Sequence, residues 1–140
     1  MTDFAQLSVG DELPSLTKYF TRAQLVAYAN ASGDLNPIHQ DEQAAKAVGL
    51  PDVIAHGMLT MGSAIQVVTD WIGDATAVID YSVRMTRPVV VPASADGVAV
   101  TFGGKIAQLN DDGTVRIDLS AVFAEQTVLG QARAIVRLPN

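Results

Sequence analysis

The chain has 140 residues, of which 49% are hydrophobic and 17% are charged, and its formal net charge at pH 7 is −6. This composition is typical of a compact globular protein, so a single domain over residues 1–140 is predicted. The acidic balance argues against nucleic-acid binding, and the absence of cysteine excludes disulfides, zinc ribbons and a thiol nucleophile.

The first part of the chain predicts two short helices separated by a turn. Residues 18–20 are predicted as a short extended segment. Thr21 and Gln24 then have the spacing of a capping box, which indicates a helix to about Ser32 with Gly33 as its C-terminal stop. Pro37 makes residues 33–40 irregular, and an alanine-rich helix is predicted over 41–48.

A longer helix is predicted over residues 57–72. Its apolar residues lie on nearly every face, which is typical of a fully buried helix. The uncharged stretch 57–69 is too short to span a bilayer, so no membrane segment is predicted. The N-terminal residues show no basic region followed by an apolar run, which favours a cytoplasmic location without a signal peptide.

The second half of the chain predicts strands. Apolar and polar residues alternate over 79–85, 115–123 and 128–138, another strand is indicated over 98–102, and residues 110–113 read as a hairpin turn. Pro88 and Pro92 place the segment between them in a loop or at a sheet edge. Helices followed by an antiparallel meander predict an α+β fold in which the sheet curls around the buried helix.

Three polar residues around Pro37 are candidates for chemistry. Asp34, Asn36 and His39 lie within six positions of one another, and a turn could bring them together. A carboxylate and an imidazole that converge can hold a water molecule, and histidine can both accept and donate a proton near neutral pH. The alternative is that Asp34 and Asn36 are turn residues that satisfy backbone amides.

Gly57 is the candidate for binding a carbonyl oxygen. The first amides of a helix lack intrahelical partners, and a glycine lets a carbonyl approach them as in an oxyanion site. Enolate-like charge on a thioester oxygen is what such a site would stabilise. The alternative is that Gly57 serves only a tight turn before the helix. His56 precedes a buried helix with no carboxylate close in sequence, which favours an internal hydrogen bond.

Asp34, His39 and Asp41 could be read as metal ligands. These residues show no recognised ligand spacing, so no metal is predicted.

Two motifs carry a resemblance to a known family. The sequence S-G-D-x-N-P-x-H at 32–39, followed by I-A-H-G-M-L-T-M-G at 54–62, closely resembles the MaoC-like (R)-specific hydratases and dehydratases. The segments VGDELP at 9–14 and YSVRMTRPV at 81–89 are also similar. Within this family the likeness is greatest to the catalytic subunits of bacterial (3R)-hydroxyacyl-acyl-carrier-protein dehydratases.

The resemblance implies a hot-dog fold, in which a curled antiparallel sheet wraps a central helix and a catalytic segment overhangs it. It implies that Asp34 and His39 are the catalytic dyad, that Asn36 orders the dyad and its water, and that the Gly57 amide is the oxyanion donor. The implied reaction is hydration of trans-2-enoyl thioesters, or the reverse dehydration of (R)-3-hydroxyacyl thioesters, without a metal or redox cofactor. Some members carry a hydroxyl residue eight positions after the glycine, where this chain has Ile65.

The implied partners are an acyl thioester of coenzyme A or acyl carrier protein and a second hot-dog subunit, in a homodimer or a heterodimer. Arg84, Arg87, Arg133 and Arg137 are the candidates for a basic patch that binds a negative partner, and Arg84 and Arg87 are the candidates for docking an acidic carrier protein. Two alternatives remain. A thioesterase on this fold would use a carboxylate of the central helix, which has none before Asp70. An accessory subunit would bind only the acyl chain, but the intact pair of Asp34 and His39 argues against that role.

Overall fold

The computed structural model describes residues 3–138 and contains three α-helices and a six-stranded antiparallel sheet. The helices are α1 (Arg22–Ser32), α2 (Glu42–Ala47) and α3 (Gly57–Ile72). The strands are β1 (Glu12–Phe20), β2 (Val78–Met85), β3 (Val98–Leu109), β4 (Thr114–Phe123), β5 (Gln126–Thr127) and β6 (Leu129–Arg137). Their order in the sheet is β1-β3-β4-β6-β2, and the short β5 pairs with β4. No helix in this part of the chain is long and apolar enough to cross a membrane.

The inner face of the sheet packs on one side of α3. Phe102, Ile117 and Val136 of the central strands are fully buried, and Ala64 and Val68 of α3 are buried against the same cluster. The helix contacts β1, β2, β3, β4 and β6, so the sheet curls around it. The α+β class and the hot-dog arrangement are therefore confirmed.

The prediction that α3 is buried on every side was wrong. The helix spans the predicted residues, but its buried residues are Thr60, Ser63, Ala64, Val67 and Val68. Met58 is 62% exposed, and Met61 and Ile65 are only partly covered. The curled sheet is open along this side of the helix, because a single sheet of this width does not close.

A tyrosine joins α3 to the edge strand β2. The hydroxyl of Tyr81 donates a 2.6 Å hydrogen bond to the carbonyl of Met61, and burial raises the pKa of Tyr81 to about 12. The phenol is therefore neutral at physiological pH and remains a donor. This bond fixes the position of β2 beside the helix.

The capping signals at α1 were predicted correctly, whereas the length of β1 was underestimated. Thr21 Oγ1 accepts the amide of Gln24 at 3.1 Å, and Gln24 Oε1 accepts the amide of Thr21 at 3.3 Å. Gly33 ends α1 in the left-handed conformation with φ +80°. The segment 18–20 proved to be the end of β1, whose earlier part contains Pro14 and an irregular register between Leu13 and Leu16.

The segment between α1 and α3 lies over the N-terminal end of α3. It contains a 3₁₀ turn (Pro37–His39) and α2, and Arg22 anchors it. The Arg22 guanidinium donates to Asp52 Oδ1 and to the carbonyl of Val91, each at 2.6 Å. We call residues 33–56 the overhanging segment.

Candidate active site

The turn around Pro37 is built by the polar residues that flank it. Asp34 Oδ1 accepts the amide of Asn36, and Asn36 Oδ1 accepts the amide of Ile38, each at 3.2 Å. Asp34 and Asn36 therefore act as turn residues that satisfy backbone amides, which was the alternative to a catalytic role. The same turn also leaves Asp34 Oδ2 facing His39, 4.0 Å from Nε2. The two interpretations are compatible.

The ring of His39 is buried and its orientation is set by the main chain. Its Nδ1 lies 2.7 Å from the carbonyl oxygen of Ile54. Because a carbonyl only accepts, Nδ1 carries the proton and neutral His39 presents a lone pair at Nε2. Ile54 is held in turn, since its amide donates to the carbonyl of Ile38 at 3.2 Å.

Asp34 Oδ2 and His39 Nε2 are thus two acceptors at 4.0 Å. This separation is too long for a direct hydrogen bond, but a water about 2.8 Å from each atom can donate to both. The water would then point an oxygen lone pair away from the dyad. Asp34 is half-exposed and His39 is buried, so the pair lies between solvent and the interior.

The N-terminus of α3 lacks the side-chain cap that the other helices have. Thr21 caps α1 and Asp41 caps α2 with side-chain oxygens, whereas the N-cap residue of α3, His56, makes no such bond. The first amides of a helix have no intrahelical partner and lie at the positive end of its dipole. The start of α3 can therefore bind a partial negative charge.

Gly57 is the first residue of α3. Its φ lies outside the left-handed region that requires glycine. A Cβ added there would lie 3.2 Å from both Sδ and Cε of Met85. A side chain at Gly57 would therefore crowd Met85, and the positive φ that would make glycine necessary for a turn is absent.

His39 and Gly57 line one cavity of about 340 Å³, a volume suited to a small ligand. Its wall is mostly apolar. The cavity is lined by His39, Ile54, Ala55, Gly57, Thr60, Met85, Thr86, Arg87, Pro88, Val89, Val128 and Leu129. An apolar pocket that ends at an imidazole and an open helix N-terminus suits an acyl group with a carbonyl at its reactive end.

Several of these wall residues were missed as site residues. Met85 and Leu129 come from paired positions of β2 and β6, and Val128 precedes β6. Their only sequence signal is that they are apolar, which is equally typical of core positions. Arg87 also lines the cavity, and its Nη1 donates to the carbonyl of Thr127 at 3.0 Å.

The four arginines considered for a basic patch do not all lie near the cavity. Arg87 lines it, whereas Arg137 donates to the carbonyl of Asp112 in the β3–β4 hairpin. Arg133 pairs across the sheet with both Ser82 and Asp118. Arg84 of β2 pairs with Gly130 of β6, so of these four cations Arg87 is the one that lines the cavity.

The metal alternative with Asp41 was wrong. Asp41 caps α2 by accepting the amides of Gln43 and Ala44. The residue that lies near Asp34 and His39 is His56 instead of Asp41. One ligand atom each from Asp34, His39 and His56 lies within 4.8 Å of the others. The rings of His39 and His56 are stacked at 3.8 Å with 24° between their planes, and one nitrogen of each ring is engaged by a main-chain carbonyl.

The predicted internal hydrogen bond of His56 is confirmed. His56 Nε2 lies 3.2 Å from the main-chain carbonyl oxygen of Asp34, and the ring is 1% exposed. Burial is the largest cause of the lowered pKa of His56, so the ring is neutral at physiological pH.

Asp70, the first carboxylate along the central helix, lies away from the cavity. It is exposed near the C-terminal end of α3 and lines a separate groove with Pro14, Leu16 and Trp71. The cavity at His39 contains no carboxylate side chain among its lining residues in the described part of the chain.

Comparisons with known proteins identify the family. Residues 6–123 match the model of the MaoC like domain. A 90-residue stretch is 42% identical to the 3-hydroxyacyl-thioester dehydratase X of Mycobacterium tuberculosis, covering 64% of this chain and 31% of that protein. A second relative from that organism, the 3-oxo-4,17-pregnadiene-20-carboxyl-CoA hydratase beta subunit, is 29% identical over 74% of this chain and 76% of its own.

A solved structure of a MaoC-like dehydratase superposes with a TM-score of 0.93 at 44% identity, covering 97% of this chain and 42% of the other. The chain thus spans about a third of the dehydratase X and less than half of the solved dehydratase. Because the family model matches most of its length and the fold agrees, the chain belongs to the MaoC-like domain family.

Proposed function

We propose that this chain catalyses the reversible hydration of trans-2-enoyl thioesters to (R)-3-hydroxyacyl thioesters. The observation that carries the proposal is the pair of acceptors, Asp34 Oδ2 and His39 Nε2, 4.0 Å apart beside the uncapped start of α3. The names of the relatives, which include dehydratases and hydratases of acyl thioesters, support the same reaction class.

In the hydration direction the dyad supplies the water. Asp34 Oδ2 and His39 Nε2 hold it, and His39 Nε2 takes one of its protons while the water oxygen bonds to C3 of the substrate. The π electrons of the C2–C3 bond move to form a C1–C2 double bond, and negative charge builds on the thioester oxygen. The amide of Gly57 stabilises that charge.

The reaction is completed by proton transfer to C2. The imidazolium of His39 is held by its Nδ1–H bond to Ile54 and faces the carboxylate of Asp34, which stabilises the positive charge. His39 returns its proton to C2, and the carbonyl of the thioester re-forms. The net change is the addition of one water, and the reverse sequence is dehydration.

The carrier of the acyl group is coenzyme A or acyl carrier protein in this proposal. Both carriers bear phosphate, and Arg87 at the cavity can meet a negative group. No metal or redox cofactor is invoked, because every proton and electron pair is accounted for by the substrate, water and the dyad.

We also propose that a second hot-dog unit covers the open side of the molecule at β2. This strand forms one edge of the sheet, and Ile79 and Met85 on it are 53% and 47% exposed. Apolar side chains on an unpaired edge favour pairing with another chain or domain. The relatives that exceed this chain in length, and the one called a beta subunit, support a functional unit larger than one domain.

An absorbance assay with purified protein tests the proposed reaction. We expect loss of enoyl absorbance with trans-2-enoyl-CoA substrates of increasing chain length, and separation of the product enantiomers should show the (R)-3-hydroxyacyl thioester. Release of free thiol from saturated acyl-CoA, with enoyl absorbance unchanged, would instead establish a thioesterase. Turnover that requires a co-expressed partner chain and is unchanged by Asp34→Asn would instead establish an accessory subunit.

A further inference from the structure

His56 is a buried histidine that the proposed reaction does not use. Its ring lies against two aromatic neighbours, stacked on His39 at 3.8 Å and meeting Tyr28 edge-on at 4.7 Å. Its Nε2 lies 3.2 Å from the carbonyl oxygen of Asp34. One side chain thus contacts both members of the dyad.

The hydrogen bond settles the tautomer of the ring. A carbonyl oxygen only accepts, so Nε2 carries the single proton of neutral His56 and Nδ1 carries the lone pair. Nδ1 is buried and has no hydrogen-bond partner within the described residues. A buried nitrogen without a partner costs free energy, so packing alone would favour an apolar side chain at this place.

Asp34 is the less firmly held member of the dyad. Residues 31–37 are all exposed, and the local bonds that Asp34 makes run to Ser32 and Asn36 within the same exposed stretch. The Nε2–H of His56 reaches this stretch from the buried start of α3. It therefore connects the main chain of Asp34 to the part of the fold that also holds His39.

We propose that His56 is a positioning residue: its Nε2–H holds the main-chain carbonyl of Asp34 so that the Asp34 carboxylate stays at water-bridging distance from His39. This inference rests on the proposed hydration reaction. It also explains why the N-cap residue of α3 leaves the helix uncapped, since its side chain is directed toward Asp34.

Three substitutions of His56 separate this role from packing. In His56→Gln the side-chain amide reaches about as far as Nε2 and retains the donor. His56→Met has a similar length and flexibility but no donor, and His56→Asn has a donor that ends short of the Asp34 carbonyl. All three lose the ring, so the comparison of Gln with Met reports the hydrogen bond, whereas Asn at this N-cap position can also cap the first amides of α3.

The readout is the steady-state hydration of crotonyl-CoA, with thermal unfolding as a check on the fold. We expect kcat of the Met and Asn variants to fall about 100-fold because Asp34 is misplaced, with KM within about threefold of wild type. The Gln variant should retain a kcat about tenfold above theirs. If the Met variant does not fold, His56→Leu, which has no donor and cannot cap α3, takes its place in the comparison with Gln.

Equal losses of kcat in the Gln and Met variants, or a rise in KM with kcat unchanged, would overturn the inference. If wild-type protein turns over crotonyl-CoA while the Gln and Met variants lose the same activity, this role alone is overturned. Wild-type protein with no turnover on any enoyl thioester overturns the proposed function, and the inference with it.

Discussion

In the proposed dyad, each side chain makes one hydrogen bond with the main chain through one atom. Its other polar atom remains available as an acceptor. Asp34 Oδ1 is occupied by the amide of Asn36, and His39 Nδ1 by the carbonyl of Ile54, so Oδ2 and Nε2 remain to bind water. The short motif around Pro37 predicts the Asp34 half of this arrangement. The His39 half depends on Ile54, fifteen residues later in the chain.

At this scale we predict that Asp34→Asn abolishes most activity without unfolding the protein. The amide can still accept from Asn36 at Oδ1, but it loses the negative charge opposite His39. General acid–base catalysis of this kind contributes about 10²- to 10⁴-fold, so kcat should fall by at least about 100-fold. Enoyl absorbance measures the rate, and circular dichroism on heating measures the fold.

The matched control is Asp70→Asn, which removes an exposed carboxylate from a separate groove. Its hydration rate should equal that of wild type. Wild-type turnover in the Asp34 variant would contradict the assigned dyad, and loss of thiol release only in the Asp70 variant would favour the thioesterase alternative.

At the scale of elements, the proposed oxyanion site depends on the start of α3. Its bounds could be predicted from sequence because a run of apolar residues follows a glycine and ends before Gly73, which adopts the left-handed conformation. That its N-terminus lacks a side-chain cap could not be predicted. It depends on His56 turning toward Asp34, a contact between positions 22 residues apart.

We predict that Gly57→Ala keeps the fold and loses activity. The new Cβ would lie 3.2 Å from Sδ and Cε of Met85, whose half-exposed side chain can move aside. The methyl group and the displaced thioether would then restrict the approach to the amide. Loss of one oxyanion donor costs about 10²- to 10³-fold in kcat, which the enoyl assay would detect.

Gly62→Ala is the corresponding control within α3, since a Cβ there meets no atom within 4 Å. Replacing a glycine inside a helix should raise the free energy of unfolding by about 0.5–1 kcal/mol without changing the rate. An equal loss of activity in both variants would show that alanine perturbs α3 in general, and would remove the argument for Gly57.

At the scale of the whole molecule, the two edges of the sheet differ. Both edge strands have register irregularities, but only the β1 edge contains a proline, Pro14, which discourages pairing. The β2 edge carries exposed Ile79 and Met85. The open side of α3 and the β2 edge are therefore the places where the isolated domain leaves apolar surface uncovered.

We predict that Ile79→Lys weakens association of two copies of the chain. A charge on the β2 edge would have to be buried without a partner if another strand paired there. Light scattering after size-exclusion chromatography should show a dimer for wild type and a monomer for the variant. The control is Val48→Lys, because Val48 follows α2, is 68% exposed and lies away from β2.

A monomeric wild type would contradict pairing between identical chains and leave a different subunit as the partner. A dimer that survives Ile79→Lys would contradict β2 as the paired edge. Either result leaves the fold and the dyad unchanged, because these depend on contacts within one chain.

The sequence by itself determined the helices and most strands, and it singled out Asp34 and His39 as the candidate dyad. The capping box at Thr21, the turn at Pro37 and the alternation in β4 act between residues close in the chain, so they are readable without a fold. Only the tertiary structure placed His39 and Gly57 in one cavity, stacked His56 on His39 and left α3 partly exposed. These features arise from packing between distant segments, which residue periodicity does not encode.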